Sequence, residues 1–348
     1  MPAESATLAI DVGATRTRVV LVRAGVIAER AERPTPDLVG TAGLASGLVE
    51  EARRLLAQTS PANPVVAAVG VSLAAAVDES GDVMQERDFG IPAGAALREA
   101  LTTAFEVPVA VNNDANLAAL AEHAVGAARG HESAAVITLG SNIGLGLIVR
   151  GEVHRGAHGV AGEAGLLLVP AVSKDERGNG RRLVDAGRFG RAESAAPEGY
   201  AWIEELVGGR ALATAARRQA SVQVPGESTN GTFPRILTRE AFADPALRPL
   251  GERAVEGWAL IIATIAVLLD VEIVVLTGNL AADAAHLLNS LRRRVAELVA
   301  TSPEVVLGSL GPDAELIGAD LFARAALARA ADRYARAGLS AQSTGERR

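Results

Sequence analysis

Short apolar runs, separated by polar turns that contain glycine, repeat along most of this chain. The apolar run 7–23 is broken by a glycine-containing turn and predicts a β-hairpin, and the stretch 134–150 has the same form. Apolar residues at helical spacing predict helices in 41–58 and 94–105, with a buried strand at 65–73 between them. Strands that alternate with helices are typical of α/β proteins.

The same alternation continues to the end of the chain. The further predicted elements are a strand, loop and helix in 107–127, a strand in 271–280, a helix in 284–299, a strand in 303–310 and a long helix in 314–337. The polar stretch 171–200 is predicted to be an exposed insertion, and residues 339–348 a flexible tail.

Two segments match each other, "LAIDVGATRTRVVLVRAG" and "AVITLGSNIGLGLIVRGE", so that Gly13 aligns with Gly140. Two such hairpins predict two similar lobes. Glycine allows a sharp turn whose backbone N–H groups point at phosphate oxygens. Only the first copy carries a carboxylate in its turn, Asp11, which is suited to hold a metal ion beside a phosphate. The pair predicts a nucleotide clamp; two ordinary hairpins of an α/β core are the alternative.

Composition narrows the possible functions. The chain has 348 residues, of which 49% are apolar, enough for two lobes with a sizeable core. A net charge of -7 argues against a nucleic-acid partner. Lys174 is the only lysine, which excludes a Walker A loop. The absence of cysteine removes disulfides, thiolate zinc sites and thiol nucleophiles.

The chain carries no N-terminal signal of the basic-then-apolar kind. Its longest apolar run, Ala259 to Leu269, is too short to span a bilayer. We therefore expect a cytoplasmic protein that does not interact with membranes.

The string "VNNDANLAALAEH" places Asn112, Asn113 and Asp114 after a predicted strand and at the start of a predicted helix. The helix dipole favours an ionised carboxylate there, and such a group is positioned to accept a proton from a substrate hydroxyl. Asn and Asp are also the favoured N-cap residues, so helix capping is the alternative.

The glycine-rich stretch "RGAHGVAGEAG" contains Glu163, an acid that could accept hydrogen bonds from sugar hydroxyls. His154 and His158 lie four residues apart, as metal ligands on a helix would. The segment is too rich in glycine for a helix, so we interpret the two histidines as part of a polar loop.

Together these strings resemble the ROK family of sugar kinases and sugar-responsive repressors. The resemblance extends from "DVGATRTR" to "VVLTGNL" and "GPDAELIGADLFA", and covers nearly the whole chain except 171–200. It implies a two-lobed hexokinase–actin fold of the ribonuclease H-like α/β class, with ATP and sugar in an interlobe cleft. It also implies phosphorylation of a sugar hydroxyl, usually on glucose, mannose, fructose, allose or an N-acetylated hexosamine.

The resemblance assigns roles to individual residues. Asp114 would be the general base and would bind the sugar together with Asn113, Glu163 and Glu204, with Glu205 as a rival to the last. Asp11 would lie beside the magnesium ion of ATP. The predicted phosphate and adenosine contacts are Asp11, Gly13, Thr15, Arg16, Gly140, Ser141, Asn142, Gly144 and Gly278.

The chain also departs from the family pattern. Leu166 stands where the family has a histidine that binds sugar and zinc, and the three zinc cysteines that follow it are absent, so we expect no zinc site. The sugar loop, commonly S-x-P-G, reads Ser72-Leu73-Ala74-Ala75. The second phosphate turn, normally G-T-G, reads Gly140-Ser141-Asn142, where Asn tolerates positive φ.

The expected lobes are 1–122, joined by the helix 318–338, and 123–317. The leading hypothesis is an ATP- and Mg²⁺-dependent hexose kinase of ROK type that forms a homodimer. Only ten residues precede Asp11, so we expect no DNA-binding domain of the ROK repressor kind. A non-catalytic sugar-binding regulator and an enzyme with an altered sugar pocket are the alternatives.

Overall fold

A computed structural model describes residues 6–39, 43–59, 64–78, 80–84, 97–170, 172–174, 180–182, 196–197, 199–219 and 235–345. The strands are β1 (Ala6–Val12), β2 (Arg16–Arg23), β3 (Val26–Pro34), β4 (Val66–Leu73), β5 (Val109–Asn113), β6 (Ser133–Leu139), β7 (Ile143–Val149), β8 (Glu152–Val153), β9 (Leu168–Pro170), β10 (Val172–Lys174), β11 (Gly180–Arg182), β12 (Tyr200–Trp202), β13 (Ile273–Thr277) and β14 (Glu304–Leu307). The helices are α1 (Thr35–Val39), α2 (Leu44–Gln58), α3 (Leu97–Phe105), α4 (Asp114–Val125), α5 (Glu204–Val207), α6 (Gly209–Gln219), α7 (Arg239–Ala243), α8 (Arg248–Leu269), α9 (Asn279–Asp283), α10 (Leu288–Leu298) and α11 (Ala314–Gly345).

The chain divides into two compact units. Unit 1 comprises 1–121, 157–160 and 313–348, and unit 2 comprises 122–156 and 161–312. Each unit contains one five-stranded sheet.

The sheet of unit 1 has the order β3-β2-β1-β4-β5, with β1, β2 and β3 antiparallel and β4 and β5 parallel to β1. Both faces of β1 are buried: Leu8 and Ile10 pack into the cluster that includes α2 and α3, while Ala9 packs with α4 and α11. This two-sided burial explains why the strand reads as a continuous apolar run. A Cβ on Gly70 would lie 2.0 Å from the carbonyl oxygen of Ala319, so α11 rests directly on β4.

The sheet of unit 2 repeats this topology. Its order is β14-β13-β6-β7-β8, with β6, β7 and β8 antiparallel and β13 and β14 parallel to β6. Its core is the larger of the two and contains the buried face of α8, including Trp258. The matching topology confirms the two-lobed α/β class predicted from the paired hairpins.

The parallel strands of each sheet end side by side. In unit 1, Asp11 is in register with Ser72, and Ser72 with Asn112. In unit 2, Thr138 of β6 is in register with Thr277 of β13. Ligands of α/β proteins bind outside such carboxyl ends, so the candidate functional residues of each unit lie in the turns and loops that follow its strands.

The structure differs from the prediction at the C-terminal end of the chain. The long C-terminal helix continues through 338 to Gly345, so the backbone of the expected flexible tail 339–345 is helical. Gly338 costs such a helix only about 1 kcal/mol relative to Ala, and nothing else in the segment stops it. The expected insertion 171–200 falls largely outside the described residues, but its described part includes the antiparallel pair β10 and β11.

The described part of the chain contains no helix that combines the length and the apolar character needed to cross a membrane.

Candidate functional site

The first glycine turn follows β1 and is held by α1. The N–H of Gly13 donates to the carbonyl oxygen of Arg16 at 2.9 Å. Thr35 donates its N–H to the carbonyl of Thr15 at 3.0 Å and its hydroxyl to that of Gly13 at 2.7 Å. Arg16 is exposed and pairs with Glu32 at 2.9 Å. The turn therefore has a fixed shape, because its carbonyls are bound from the side of α1.

Asp11 lies just before this turn and is only 9% exposed. Its Oδ1 accepts a hydrogen bond from the Ser72 hydroxyl at 2.9 Å. Its Oδ2 accepts two from Arg18, from Nε at 3.1 Å and from Nη2 at 2.8 Å. Arg18 also reaches Glu315 at 3.4 Å and Asp313 at 3.7 Å, on and just before α11. Both oxygens of Asp11 are thus engaged, one of them by a two-pronged ion pair.

Glu315 is an unusual member of this cluster. Burial, followed by the negative charges of Asp11 and Asp114, raises the pKa of Glu315 to about 8, although Arg18 acts in the opposite direction. Glu315 is therefore protonated more readily than an ordinary glutamate. Asp11, Asp114 and Glu315 lie close enough in unit 1 to influence one another electrostatically.

At the start of α4, one residue caps the helix and the next is the candidate general base. The Oδ1 atom of Asn113 accepts hydrogen bonds from the N–H groups of Ala115 at 3.0 Å and Asn116 at 3.2 Å, and its Nδ2 donates to the carbonyl of Ala75 at 3.3 Å. Asp114 is the first helical residue, and its Oδ1 accepts from the N–H of Ala115 at 2.8 Å. Asn113 therefore provides the N-cap, and Asp114 lies in the first turn, where the helix dipole favours its ionised form.

The second glycine turn follows β6 and is packed against the start of α6. The N–H of Gly140 donates to the carbonyl of Asn142 at 3.1 Å. The carbonyls of Gly140 and Ser141 accept from the N–H groups of Gly209 and Arg210, both at 3.0 Å. A Cβ on Gly209 would lie 2.3 Å from the oxygen of Gly140, so this approach requires glycine.

The second turn does not make use of the tolerance of Asn142 for positive φ. The non-glycine residues with positive φ in the described segments are Ala24, Glu106, Arg150 and Asp270. The turn closes within the ordinary regions of φ because its carbonyls are held by α6.

Two further predicted contacts belong to unit 2. Gly144 lies in β7, in register with Thr138 of β6. Gly278 follows β13 with φ +92°, and a Cβ there would lie 2.5 Å from the carbonyl oxygen of Leu139. Gly278 thus brings the end of β13 against the end of β6, immediately before the second glycine turn.

Glu204 braces the second turn. Its Oε2 accepts a hydrogen bond from the N–H of Ile143 at 2.9 Å. A Cβ on Gly165 would lie 2.8 Å from the same oxygen, so the carboxylate also borders the loop of Glu163. Glu205 instead accepts from the N–H of Trp202 at 3.3 Å. Of the two rivals, Glu204 is the one that lies between the turn and the loop.

The loop of Glu163 is fixed by close backbone packing. Glu163 is half-buried, and its carbonyl accepts a hydrogen bond from the N–H of Leu166 at 3.0 Å across a short 3-10 turn. A Cβ on Gly162 would lie 2.0 Å from the carbonyl of Leu145. His154 and His158 lie outside helices, as expected of a polar loop.

The described residues include no group of three or more His, Asp or Glu that could hold a metal ion.

Unit 1 thus brings together Asp11, the first turn, Asn113 and Asp114, while unit 2 brings together the second turn, Gly278, Glu204 and the loop of Glu163. Sequence reasoning missed Arg18, Thr35 and Glu315. A signal existed for Arg18, because the predicted hairpin places it in register opposite Asp11. For Glu315 the one signal was its place in the string "GPDAELIGADLFA", which assigned it no role, and it lies 297 residues from its partner Arg18.

Known sugar kinases are similar to this chain over most of its length. The bifunctional enzyme NanE/NanK of Brucella melitensis is 28% identical over 322 residues, which make up 92% of this chain and 54% of that enzyme. This chain therefore spans about half the length of the curated relative. The glucokinase of Streptomyces coelicolor is 26% identical over 330 residues, with 94% of this chain and 96% of that protein covered.

Among solved structures, the ROK hexokinase from Thermus thermophilus is similar to this chain with a TM-score of 0.68 and 27% identity. The match covers 92% of this chain and 98% of that hexokinase. The sequence profile of the ROK family matches residues 7–326. The paired sheets, the two glycine turns and this match over most of the chain lead to one conclusion: the chain belongs to the ROK family.

Proposed function

We propose that this protein transfers the terminal phosphoryl group of ATP to a hydroxyl of a hexose or hexose derivative. The observation that carries the proposal is the start of α4, where Asn113 caps the helix and Asp114 occupies its first turn. The relatives named glucokinase and the ROK hexokinase support the same reaction class.

Asp114 is the proposed general base. Its carboxylate lies in the first turn of α4, where a helix dipole favours negative charge, and takes the proton from the sugar hydroxyl as that oxygen attacks the phosphoryl group. The Nδ2 group of Asn113 donates one N–H to Ala75, and its second N–H suits a sugar oxygen. Phosphoryl transfer needs little beyond such positioning and the neutralisation of charge.

The sugar is proposed to bind to Glu163 and Glu204 as well. Carboxylate oxygens accept hydrogen bonds from sugar hydroxyls. Glu163 lies on a closely packed loop, and Glu204 begins α5 and accepts a hydrogen bond from the N–H of Ile143. Leu166 is half-buried in the same loop and offers only an apolar surface. We therefore expect a preference for a sugar that carries a deoxy, acetyl or other apolar group at this place.

The donor is proposed to bind through backbone N–H groups. The turn at Gly13, Thr15 and Arg16 and the turn at Gly140 and Ser141 each suit phosphate oxygens. Gly278 would lie against the adenosine. ATP arrives with Mg²⁺ bound to its own phosphates, and the ion neutralises their charge. A homodimer in the cytoplasm remains our prediction for the state of the protein.

The test is a coupled assay of ADP release with MgATP and a panel of glucose, mannose, fructose, allose, N-acetylmannosamine and N-acetylglucosamine. We expect turnover with at least one sugar, and a sugar phosphate of matching mass. Calorimetric titration of the same sugars is run in parallel. Sugar binding without ADP release would contradict the proposal and favour a non-catalytic sugar-binding regulator.

A further inference from the structure

The surroundings of Asp11 disfavour a role as magnesium ligand, because three of the roughly four lone-pair positions of its carboxylate already accept hydrogen bonds. Mg²⁺ prefers carboxylate oxygens and waters in a near-octahedral shell, and it needs an oxygen with an open direction of approach. Here Oδ1 accepts from the hydroxyl of Ser72, and Oδ2 accepts from two nitrogens of Arg18. The guanidinium already supplies one full positive charge to this carboxylate.

We propose that Asp11 does not coordinate the magnesium of the donor and that Arg18 is a positioning residue, which neutralises Asp11 and fixes it beside the first glycine turn. The proposal rests on the proposed kinase function, since it concerns how that enzyme receives its donor. It replaces the role that the family resemblance implies for Asp11.

The first reason is that Arg18 is held on several sides. It lies on β2 in register opposite Asp11 of β1, so the hairpin itself sets the separation of the pair. Its Nη2 also contacts Glu315, and its Nη1 faces Asp313. With 17% of its side chain exposed, Arg18 cannot leave Asp11 without losing contacts to all three acids.

The second reason concerns the charge that a triphosphate would meet. An unpaired Asp11 next to the first turn would repel phosphate oxygens, unless a metal ion bridged the two. Paired with Arg18, the carboxylate is neutralised before the donor arrives. Two-pronged pairs of Arg with a carboxylate are among the stronger charge-assisted contacts, which favours a permanent structural role.

The experiment measures binding rather than turnover. Mn²⁺ replaces Mg²⁺, the non-hydrolysable analogue AMP-PNP replaces ATP, and electron paramagnetic resonance measures the affinity of the protein-bound nucleotide for Mn²⁺. Loss of a ligand or of its supporting partner typically costs about 10–100-fold in metal affinity. If the proposal holds, Asp11→Asn changes the Mn²⁺ affinity by less than about threefold, well below that 10–100-fold loss. A loss of about tenfold or more would overturn it.

A second measurement needs no variant and keeps the proposal testable if Asp11→Asn fails to fold. Wild-type protein labelled with ¹³C-aspartate is bound to Mn²⁺ and AMP-PNP and examined by electron–nuclear double resonance. We expect no ¹³C coupling of the size that a directly coordinated carboxylate produces. Such a coupling would overturn the proposal.

Arg18→Gln tests the positioning role. Without Arg18, the freed carboxylate repels the nucleotide, so AMP-PNP affinity without metal should fall by about tenfold or more and should recover when Mn²⁺ bridges the two. Arg18→Lys, which keeps the charge, should restore part of the metal-free affinity. The matched control is Arg30→Gln, because Arg30 pairs with Asp313 at 2.7 Å and does not contact Asp11.

Equal behaviour of Arg18→Gln and Arg30→Gln would overturn the positioning role. The proposed function fails in a different way: wild-type protein would then not bind AMP-PNP at all, with or without Mn²⁺. The two failures are therefore distinguishable in one set of titrations.

Discussion

The two glycine turns hold equivalent places in two sheets of the same topology, but they are built by different means. In the first hairpin, the register pairs Asp11 with Arg18 immediately before and after the turn. At the corresponding register of the second hairpin, Thr138 faces Gly144. One turn is therefore framed by a partly buried ion pair and the other by small neutral residues.

The supports of the two turns differ in the same way. Thr35 holds the first through a hydroxyl and an N–H group. The second is held by backbone approaches that only glycine permits, from Gly209 at 2.3 Å and Gly278 at 2.5 Å, measured from the Cβ that each would carry. The first turn should therefore be sensitive to substitutions that remove a charge or a hydrogen bond. The surroundings of the second turn should be sensitive to substitutions that replace a glycine by a larger residue.

The largest expected effect is on catalysis, from a substitution in unit 1, which contains the first turn. Asp114→Asn is nearly isosteric and leaves the cap at Asn113 intact, so the fold should persist. Loss of the general base should reduce kcat by at least about 100-fold. The measurement is ADP release on the best sugar, with Asp270→Asn as a control at an exposed helix end. Turnover within a few-fold of wild type would refute the assignment of Asp114.

The next effect concerns the glycine packing beside the second turn. At Gly278, φ is +92° and ψ is 167°, a region of backbone space that is essentially restricted to glycine. Gly278→Ala adds a clash with Leu139 to this strain, and we expect a loss of about 3 kcal/mol or more in the free energy of unfolding. Urea denaturation measures it.

The matched control is Gly151→Ala, also in unit 2. Gly151 has φ +75°, but nothing lies within 4 Å of its Cβ position. It should cost only the backbone strain, about 1 kcal/mol. Equal losses for the two variants would show that the close approach of β13 to β6 does not matter.

A smaller effect is expected at the support of the first turn. Thr35→Val removes the hydroxyl that donates to the carbonyl of Gly13 and contacts Thr17 at 3.0 Å. Because the site is buried, the loss should cost about 1–3 kcal/mol and raise the KM for ATP. Thr264→Val is the control, since its hydroxyl donates to a helix carbonyl at an exposed position. If both variants left the KM for ATP unchanged, the turn would not depend on Thr35.

The last expected effect is a pH dependence of stability that arises beside the first turn. Burial and the charges of Asp11 and Asp114 raise the pKa of Glu315 to about 8 in the folded state, against 4.5 in its ordinary state, with Arg18 opposing the shift. The folded protein thus keeps a proton that the unfolded chain releases. The contribution of Glu315 to stability is fully present below pH 4.5 and is lost as pH rises to about 8.

Glu315→Gln removes this titration. The melting temperature of wild type relative to Glu315→Gln should therefore fall between pH 5 and 8, a window set by the two pKa values. Glu304→Gln, at an exposed strand position, should leave the dependence of wild type unchanged. A flat difference for Glu315→Gln across the window would show that Glu315 is ionised throughout.

The alternation of apolar runs and glycine turns determined much of this protein from sequence alone. It predicted α/β layers, two hairpins of matching form and two similar lobes, because buried strands and amphipathic helices have distinct periods. It also placed Asn113 and Asp114 at a helix start, where cap and base remained alternatives.

Only the tertiary structure decided how the charges are paired. The hydrogen bonds at the start of α4 show that Asn113 is the capping residue. The sequence predicted Asp11 as a carboxylate beside a metal ion. The structure adds Arg18, which the register of β1 and β2 sets opposite it, and Glu315, which α11 brings from the end of the chain. The strength of an ionic contact depends on the distance between the two charges. Arg18 and Glu315 lie 297 residues apart in sequence, so only the packing of α11 in the folded unit brings them together.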